Sequence, residues 1–241
     1  MSPTESVPNF PESGRPPGRV GYGRLPSMLA PMHLGMIDLL VHGQFSDFIL
    51  IVIAIVLAIA LHEFGHAAAD ELQGDPTARL PGRLTLNPLR HLDPFGTVMI
   101  VLVGFGWGKP VPMTPSKLRN RRIGAAVVGA AGPLVNVILA FISGALLGRM
   151  DPTTYGSLGY RFVSEFLYLN VLLALLNLLP IPPLDGSRIL SAILPPSKQH
   201  IIFFLDQYGF VILLIAAFLV LPSILGPIST SASRLVLRLV S

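Results

Sequence analysis

The chain contains no cysteine. That absence removes disulfides, iron–sulfur clusters, thiolate zinc sites and a cysteine nucleophile together, so any bound metal must take nitrogen and oxygen ligands. Charge is scarce as well. Only 12% of the 241 residues are Asp, Glu, Lys or Arg, and 51% are hydrophobic, whereas an ordinary soluble domain carries roughly 25% charged residues. The composition therefore argues against a water-soluble globule. The 23 Gly and 23 Pro follow no period and stand in an apolar background, which excludes a collagen-like or disordered chain. A net charge of +4 could in principle suit nucleic acid, but no block of about five to eight basic residues occurs. The densest cluster, Lys117 to Arg122, stands directly before a long uncharged run. That is the place of a cytoplasmic membrane flank, so the partner implied is a lipid bilayer and not nucleic acid.

Four apolar runs follow a flexible N-terminal tail at residues 1–44, which lacks the continuous apolar segment and cleavage site of a signal peptide. Within the tail, Met28 to Val41 could form a short amphipathic surface helix or remain irregular. The first run extends from Phe48 to Ala69; as a helix its length is about 33 Å, enough to cross a bilayer. The others are Ile123 to Gly148, Phe162 to Leu179 with only Glu165 inside, and Ile201 to Leu221 with only Asp206. The second carries Ala125/Gly129 and Gly144/Gly148, a small-residue spacing that lets helices approach closely in lipid. We expect an all-α integral membrane bundle of about four transmembrane helices in a core at residues 45–222, followed by a short C-terminal amphipathic segment at 223–241.

Lys and Arg set the orientation. The loop after the first run holds Arg79, Arg83, Arg90, Lys109, Lys117, Arg119, Arg121 and Arg122, whereas the connection after the second holds only Arg149 and Arg161. The former is expected on the cytoplasmic side of the cell membrane, in a multi-pass arrangement. One segment fits no simple span: Pro94 to Gly108 is apolar but short, rich in β-branched residues and glycine, and suggests a strand pair or re-entrant element docked on the bundle.

The first run ends in His62-Glu63-Phe64-Gly65-His66. On a helix, histidines at i and i+4 face the same way and can share a metal, while Glu63 can reach a metal-bound water without ligating. In a chain of this composition the pattern arises by chance about 0.003 times. The bland alternative is two interfacial histidines beside an unrelated glutamate, which three ionisable groups in an apolar helix end make costly. A catalytic zinc needs a third ligand. Asp185, after the third run, is the only carboxylate between Glu165 and Asp206. If the first and third runs cross in the same direction, their C-terminal ends share a side and Asp185 reaches the depth of His62 and His66. Asp185-Gly186 could also be an ordinary turn pair.

These residues resemble the site-2 protease family of intramembrane zinc metalloproteases, and in particular its small members without PDZ or CBS domains. The resemblance is carried by His62-Glu63-Phe64-Gly65-His66, Ala131-Gly132-Pro133-Leu134-Val135-Asn136 and Asn177 through Asp185-Gly186, with Leu86 to Thr97 also similar. It covers about residues 47–221. It implies one zinc held by His62, His66 and Asp185, Glu63 as general base, and cleavage of a transmembrane segment of another membrane protein from an active site near the cytoplasmic side. It also implies a small membrane-associated β-hairpin over Gly96 to Val111 beside the substrate groove. A strand edge there would capture an unwound substrate by strand addition.

The tetrahedral oxyanion of such a reaction needs a donor. Asn177 is the first candidate and Asn136 the weaker one, since the latter could instead bond between helices. His91 reads as an interfacial histidine and Trp107 as an interface anchor. The alternative function is a non-catalytic zinc-binding membrane protein or a transporter using the same polar cluster. A transporter would be expected to show internal repeats, and the segments around Pro133 and Pro180 are dissimilar. No sequence feature sets an oligomeric state.

Overall fold

The computed structural model describes residues 36–103 and 106–240. Eight α-helices occur in this range: α1 (Ile37–Val41), α2 (Phe45–Leu72), α3 (Pro94–Val103), α4 (Arg121–Leu147), α5 (Leu158–Asn177), α6 (Gly186–Ile193), α7 (Gln199–Leu219) and α8 (Leu221–Val240). Helices α2, α4, α5 and a stretch from Pro196 to the end of α7 are long and apolar enough to cross a membrane. They coincide with the four apolar runs to within a few residues at either end. The expected tail at 1–44 lies outside the described residues as far as residue 35. Of the expected surface helix over 28–41, only α1 and Met36 are described, and Met36 packs against Ile59 and Ile100.

Local chemistry sets the helix ends. The Asn120 side chain caps α4 by accepting from the backbone N–H groups of Arg122 and Ile123 at 3.1 and 3.0 Å. Ser157 does the same for α5, accepting from Tyr160 N–H at 3.2 Å. After α2 the chain turns through Gly74 at φ +92°, a backbone conformation that costs a residue with a Cβ. Asp75 then fastens the turn: its carboxylate accepts from the backbone N–H and the hydroxyl of Thr77 and from Thr114 N–H at 2.5 Å. Those hydrogen bonds join the loop after α2 to the segment that leads into α4. The carboxyl group is buried, which alone would raise its pKa; the Thr77 and Thr114 bonds, helped by Lys117, hold it below the usual carboxylate range.

Helix α4 is the hub, packing against α2, α5, α6 and α8. Ala140, Leu147, Leu167, Val171, Val236 and Leu237 form the apolar core between α4, α5 and α8. Small residues on α4 bring its neighbours close, as the spacing suggested. A Cβ on Gly144 would lie 2.9 Å from Val236 of α8. The short amphipathic segment expected at 223–241 falls, as far as Val240, within α8, a 20-residue helix that buries Leu225, Ser229, Ser233, Val236 and Leu237. By contrast α7 is the least buried of the four long helices.

The expected β-hairpin over Gly96–Val111 is not what the structure shows. Residues Pro94–Val103 are the helix α3, and among the described residues strand pairing is confined to a single antiparallel bridge between Leu92 and Gly108. The physical reason is local satisfaction of the backbone. A two-stranded hairpin leaves both edges unpaired in an apolar setting, whereas a helix bonds its own groups. Asp93 starts this helix, accepting from Gly96 N–H at 2.8 Å through its side chain and from the Thr97 hydroxyl at 2.7 Å through its carbonyl. Val98 to Val103 therefore offer no strand edge to a substrate.

Candidate metal centre

Three elements meet at the cluster that the motifs indicated. Helix α2 contributes His62 and His66, one turn apart, and the N-cap position of α6 contributes Asp185. All three are buried. The two Nε2 atoms lie 3.0 Å apart, and Asp185 Oδ2 is 3.1 Å from each. A zinc ion with nitrogen and oxygen ligands at about 2.0–2.2 Å in a tetrahedron sets its ligand atoms about 3.3 Å apart, close to this triangle.

Proton positions test the fit independently. His62 Nδ1–H donates to Asn136 Oδ1 at 2.6 Å, and His66 Nδ1–H donates to the Val128 carbonyl at 2.7 Å. With both Nδ1 atoms used as donors, each ring in its neutral form turns an Nε2 lone pair towards the Asp185 carboxylate. Three lone-pair atoms this close repel one another unless a cation or proton sits between them. The donor set, its tautomers and its charge suit a divalent metal, and the three residues can hold one.

The back wall of the cluster is α4. A Cβ on Gly132 would stand 2.4 Å from His66 Nε2 and 2.6 Å from His62 Nε2, so only glycine leaves the ligand face open. One turn earlier, a Cβ on Gly129 would stand 3.1 Å from the Asp185 carbonyl and 3.0 Å from Arg188 Cβ. One turn later, Asn136 holds His62. Its own Nδ2 donates to Asn170 Oδ1 at 2.7 Å, and Asn170 Nδ2 donates to the Phe166 carbonyl at 2.7 Å. Such outer partners fix the tautomer and orientation of a metal-ligating histidine.

Beside the cluster lies a cavity of about 180 Å³ whose walls include His62, Glu63, Trp107, Asn177, Leu184 and Phe210. Glu63 points its carboxylate into this region, with Gly108 close by: a Cβ there would be 3.6 Å from Glu63 Oε1. The structure thus brings together His62, His66 and Asp185 as possible metal ligands, with Glu63 and Asn177 in the adjoining cavity. Asn177 Nδ2 donates to the Leu173 carbonyl at 3.0 Å. Asn136, the other oxyanion candidate, is not brought to the cavity; it is fully buried with both ends of its amide engaged behind His62.

The surroundings of two further residues are set by the fold. His91 is not interfacial but fully buried, donating from Nε2 to the Thr85 carbonyl at 2.8 Å, while its own carbonyl accepts from Lys109 N–H at 2.7 Å. Trp107 is part of the cavity wall, its ring 5.7 Å from Phe95 and 6.0 Å from Phe210. Asn170 escaped the sequence reading, and so did the place of Gly129 and Gly132 directly behind the cluster. An uncharged amide in the middle of an apolar span, and Gly129, Gly132 and Asn136 at i, i+3 and i+7 on one helix face, were the available signals.

Comparison with known proteins agrees with this geometry. The model for peptidase family M50 matches residues 50–157 and 153–220. The chain is 40% identical over 200 residues to "Putative zinc metalloprotease YwhC" of Bacillus subtilis, covering 79% of this chain and 90% of that protein. It is 33% identical over 175 residues to "Putative zinc metalloprotease Rip2" of Mycolicibacterium smegmatis, covering 70% of this chain and 66% of that protein. The Mycobacterium tuberculosis protein of the same name is 31% identical over 175 residues, with the same shares covered. No solved structure matches the chain. With its four apolar helices and a motif-bearing core spanned by the family model, the chain is a multi-pass membrane protein that belongs to peptidase family M50, the site-2 protease family, and is a zinc metalloprotease.

Proposed function

We propose that this protein is a zinc-dependent intramembrane endopeptidase that hydrolyses a peptide bond within or near a transmembrane segment of another membrane protein, from a site near the cytoplasmic side of the cell membrane. The observation that carries the reading is the placement of the His62, His66 and Asp185 cluster beside a cavity that has Glu63 in its wall. The excess of Lys and Arg in the loop between α2 and α4 supports the orientation.

Zinc held by these three residues supplies Lewis acidity, which polarises a peptide carbonyl and makes water a nucleophile near neutral pH. The chain's own groups do the rest. Glu63 accepts the proton of the attacking water and returns it to the leaving amine. Asn136 and the Val128 carbonyl keep both Nδ1 atoms protonated, so both Nε2 lone pairs remain available. Asn177 stands in the same cavity, and rotation of its amide away from the Leu173 carbonyl presents a donor to the developing oxyanion. Trp107, Phe210 and Leu213 line the apolar part of the cavity, where substrate side chains displace water. A substrate helix hides its amides in its own ladder, so the cleaved segment must unwind locally, as it does most readily near Gly or Pro.

The test is cleavage of a tagged single-span substrate by the purified protein in detergent, wild type against Glu63→Gln. Retained zinc with cleavage abolished in the variant is the expected result. Equal cleavage by the two proteins refutes the proposal.

A further inference from the structure

A second cavity, of about 300 Å³, opens where the start of α4, helix α6 and the first turns of α7 meet. Arg121, Arg122 and Arg188 line it with one acidic residue, Asp206, and the charge of Arg188 also acts on the buried Asp70 carboxyl of α2. Among the described residues neither Arg121 nor Arg188 has a carboxylate oxygen within 4.0 Å, and Arg122 donates only to the Leu194 carbonyl, which ties the start of α4 to the end of α6. The stem of Arg188 lies against Gly129. Three cations gathered around one cavity repel one another and are stabilised by an anion among them, and the N-terminal end of the 27-residue α4 adds to the positive field. The rest of the wall combines Ser187 and Ser191 of α6 with apolar residues that include Ile202 and Leu205 of α7. Just outside it Phe203 and Phe204 are exposed on the same helix. The cavity lies at the ends of the spans, where α4 and α7 begin, which is headgroup depth for a bilayer.

We propose that this cavity binds the phosphodiester headgroup of an anionic phospholipid, with the acyl chains lying along the exposed apolar face of α7. A phosphate group is attracted by the summed positive charge of Arg121, Arg122 and Arg188, and the apolar residues of the wall distinguish a lipid from a free phosphate ion. The position has a consequence for the metal centre. Arg188 is one turn beyond Asp185 on α6, a helix of only 8 residues, so an occupied cavity steadies the element that presents the third metal ligand.

The experiment is native mass spectrometry of the full-length protein in neutral detergent, titrated with phosphatidylglycerol and with phosphatidylcholine of the same acyl chains; it reads binding and not catalysis. Wild type is expected to prefer phosphatidylglycerol roughly 30-fold, and the R121Q/R122Q variant to lose most of that preference, at about 1 kcal/mol for each cation removed. R121K/R122K is expected to keep it, and so is Arg149→Gln, which removes an exposed arginine beyond the far end of α4. Asp206→Asn is expected to strengthen binding, a gain that no misfolded chain would show. Equal binding of the two lipids by wild type, or an unchanged preference in R121Q/R122Q, overturns the proposal. Displacement of phosphatidylglycerol by millimolar inorganic phosphate also overturns it, and assigns the cavity to the free ion.

Discussion

Replacing Gly132 with alanine adds one methyl group and is expected to empty the metal site. The new Cβ would stand 2.4 Å from His66 Nε2 and 2.6 Å from His62 Nε2 and Cε1, where ordinary contact begins near ~3.5 Å, so the overlap is about 1 Å. Two motions could relieve it. The rings could retreat along α2, but zinc–ligand distances tolerate only about ±0.2 Å, and a retreat of this size takes the nitrogens out of reach. Alternatively α4 could move away, but Asn136 and Val128 on that helix hold the Nδ1 atoms of the same two rings at 2.6 and 2.7 Å. Either way an outer or an inner contact is lost, and outer contacts alone are worth about 10- to 100-fold in metal affinity. Zinc affinity should therefore fall by more than 100-fold, read as zinc per chain by elemental analysis and by competition with a chelator, with helix content unchanged by circular dichroism. Gly226→Ala in α8 is the control. Its Cβ meets nothing within 4 Å, and alanine in a helix interior gains about 0.5–1 kcal/mol. A Gly132→Ala protein that binds one zinc with wild-type affinity refutes the reasoning.

Asn136→Ala removes the acceptor behind His62 and should lower zinc affinity and cleavage about 10- to 100-fold; chelator competition and initial rates measure this, and a change within twofold contradicts it. The lowered pKa of Asp75 makes an acid-side prediction, because a carboxyl depressed in the folded state stabilises it above its unfolded pKa and loses that contribution as pH falls through the folded value. Thermal unfolding of the wild type should therefore weaken below about pH 4, and Asp75→Asn should be less stable at pH 7 with a smaller further loss in acid. At the other end of the bundle, Arg161 pairs with Asp47, which is 7% exposed. Arg161→Gln should cost about 3 kcal/mol by leaving a buried carboxylate unpaired, and adding Asp47→Asn should recover part of it; denaturant titration of both proteins decides.

The long helices were legible because a bilayer demands about 20 apolar residues per span, a requirement written directly into the Phe48–Ala69 run and its three successors. The convergence of Asp185 on His62 and His66 followed from the parity of crossings, a topological argument that needs no distances. Helix α3 was not legible. Its Val, Ile and Thr content favours strands, but the side chain and carbonyl of Asp93 start a helix, and no partner strand was available to outweigh it. The role of Asn136 depended on the rotation of α4 about its axis. Sequence leaves that rotation open until Gly65 is seen to let Ala131 and Val135 approach α2, with a Cβ there only 2.8 Å from Val135 Cγ2. Burial of His91 likewise depends on the Leu92–Gly108 bridge, which closes across the whole of α3 and has no local signal.

The acceptors behind the two histidines are an amide oxygen and a peptide carbonyl, from Asn136 and Val128, and neither carries formal charge. Asp185 is then the sole anion among the three candidate ligands, so these residues would leave a divalent ion one unit of positive charge, faced only by the Glu63 carboxylate in the adjoining cavity. In a buried setting that excess cannot be dispersed by solvent. It makes the centre a stronger acid towards water than one backed by carboxylates, and it reserves a place for the negative charge that develops on a peptide oxygen. Asn136→Asp, nearly identical in shape, would supply that charge from behind. The result should be a site that keeps its zinc and loses part of its rate, and Asn170→Ala, which removes the bond to Asn136 Nδ2 without adding charge, separates the electrostatic effect from the loss of that bond.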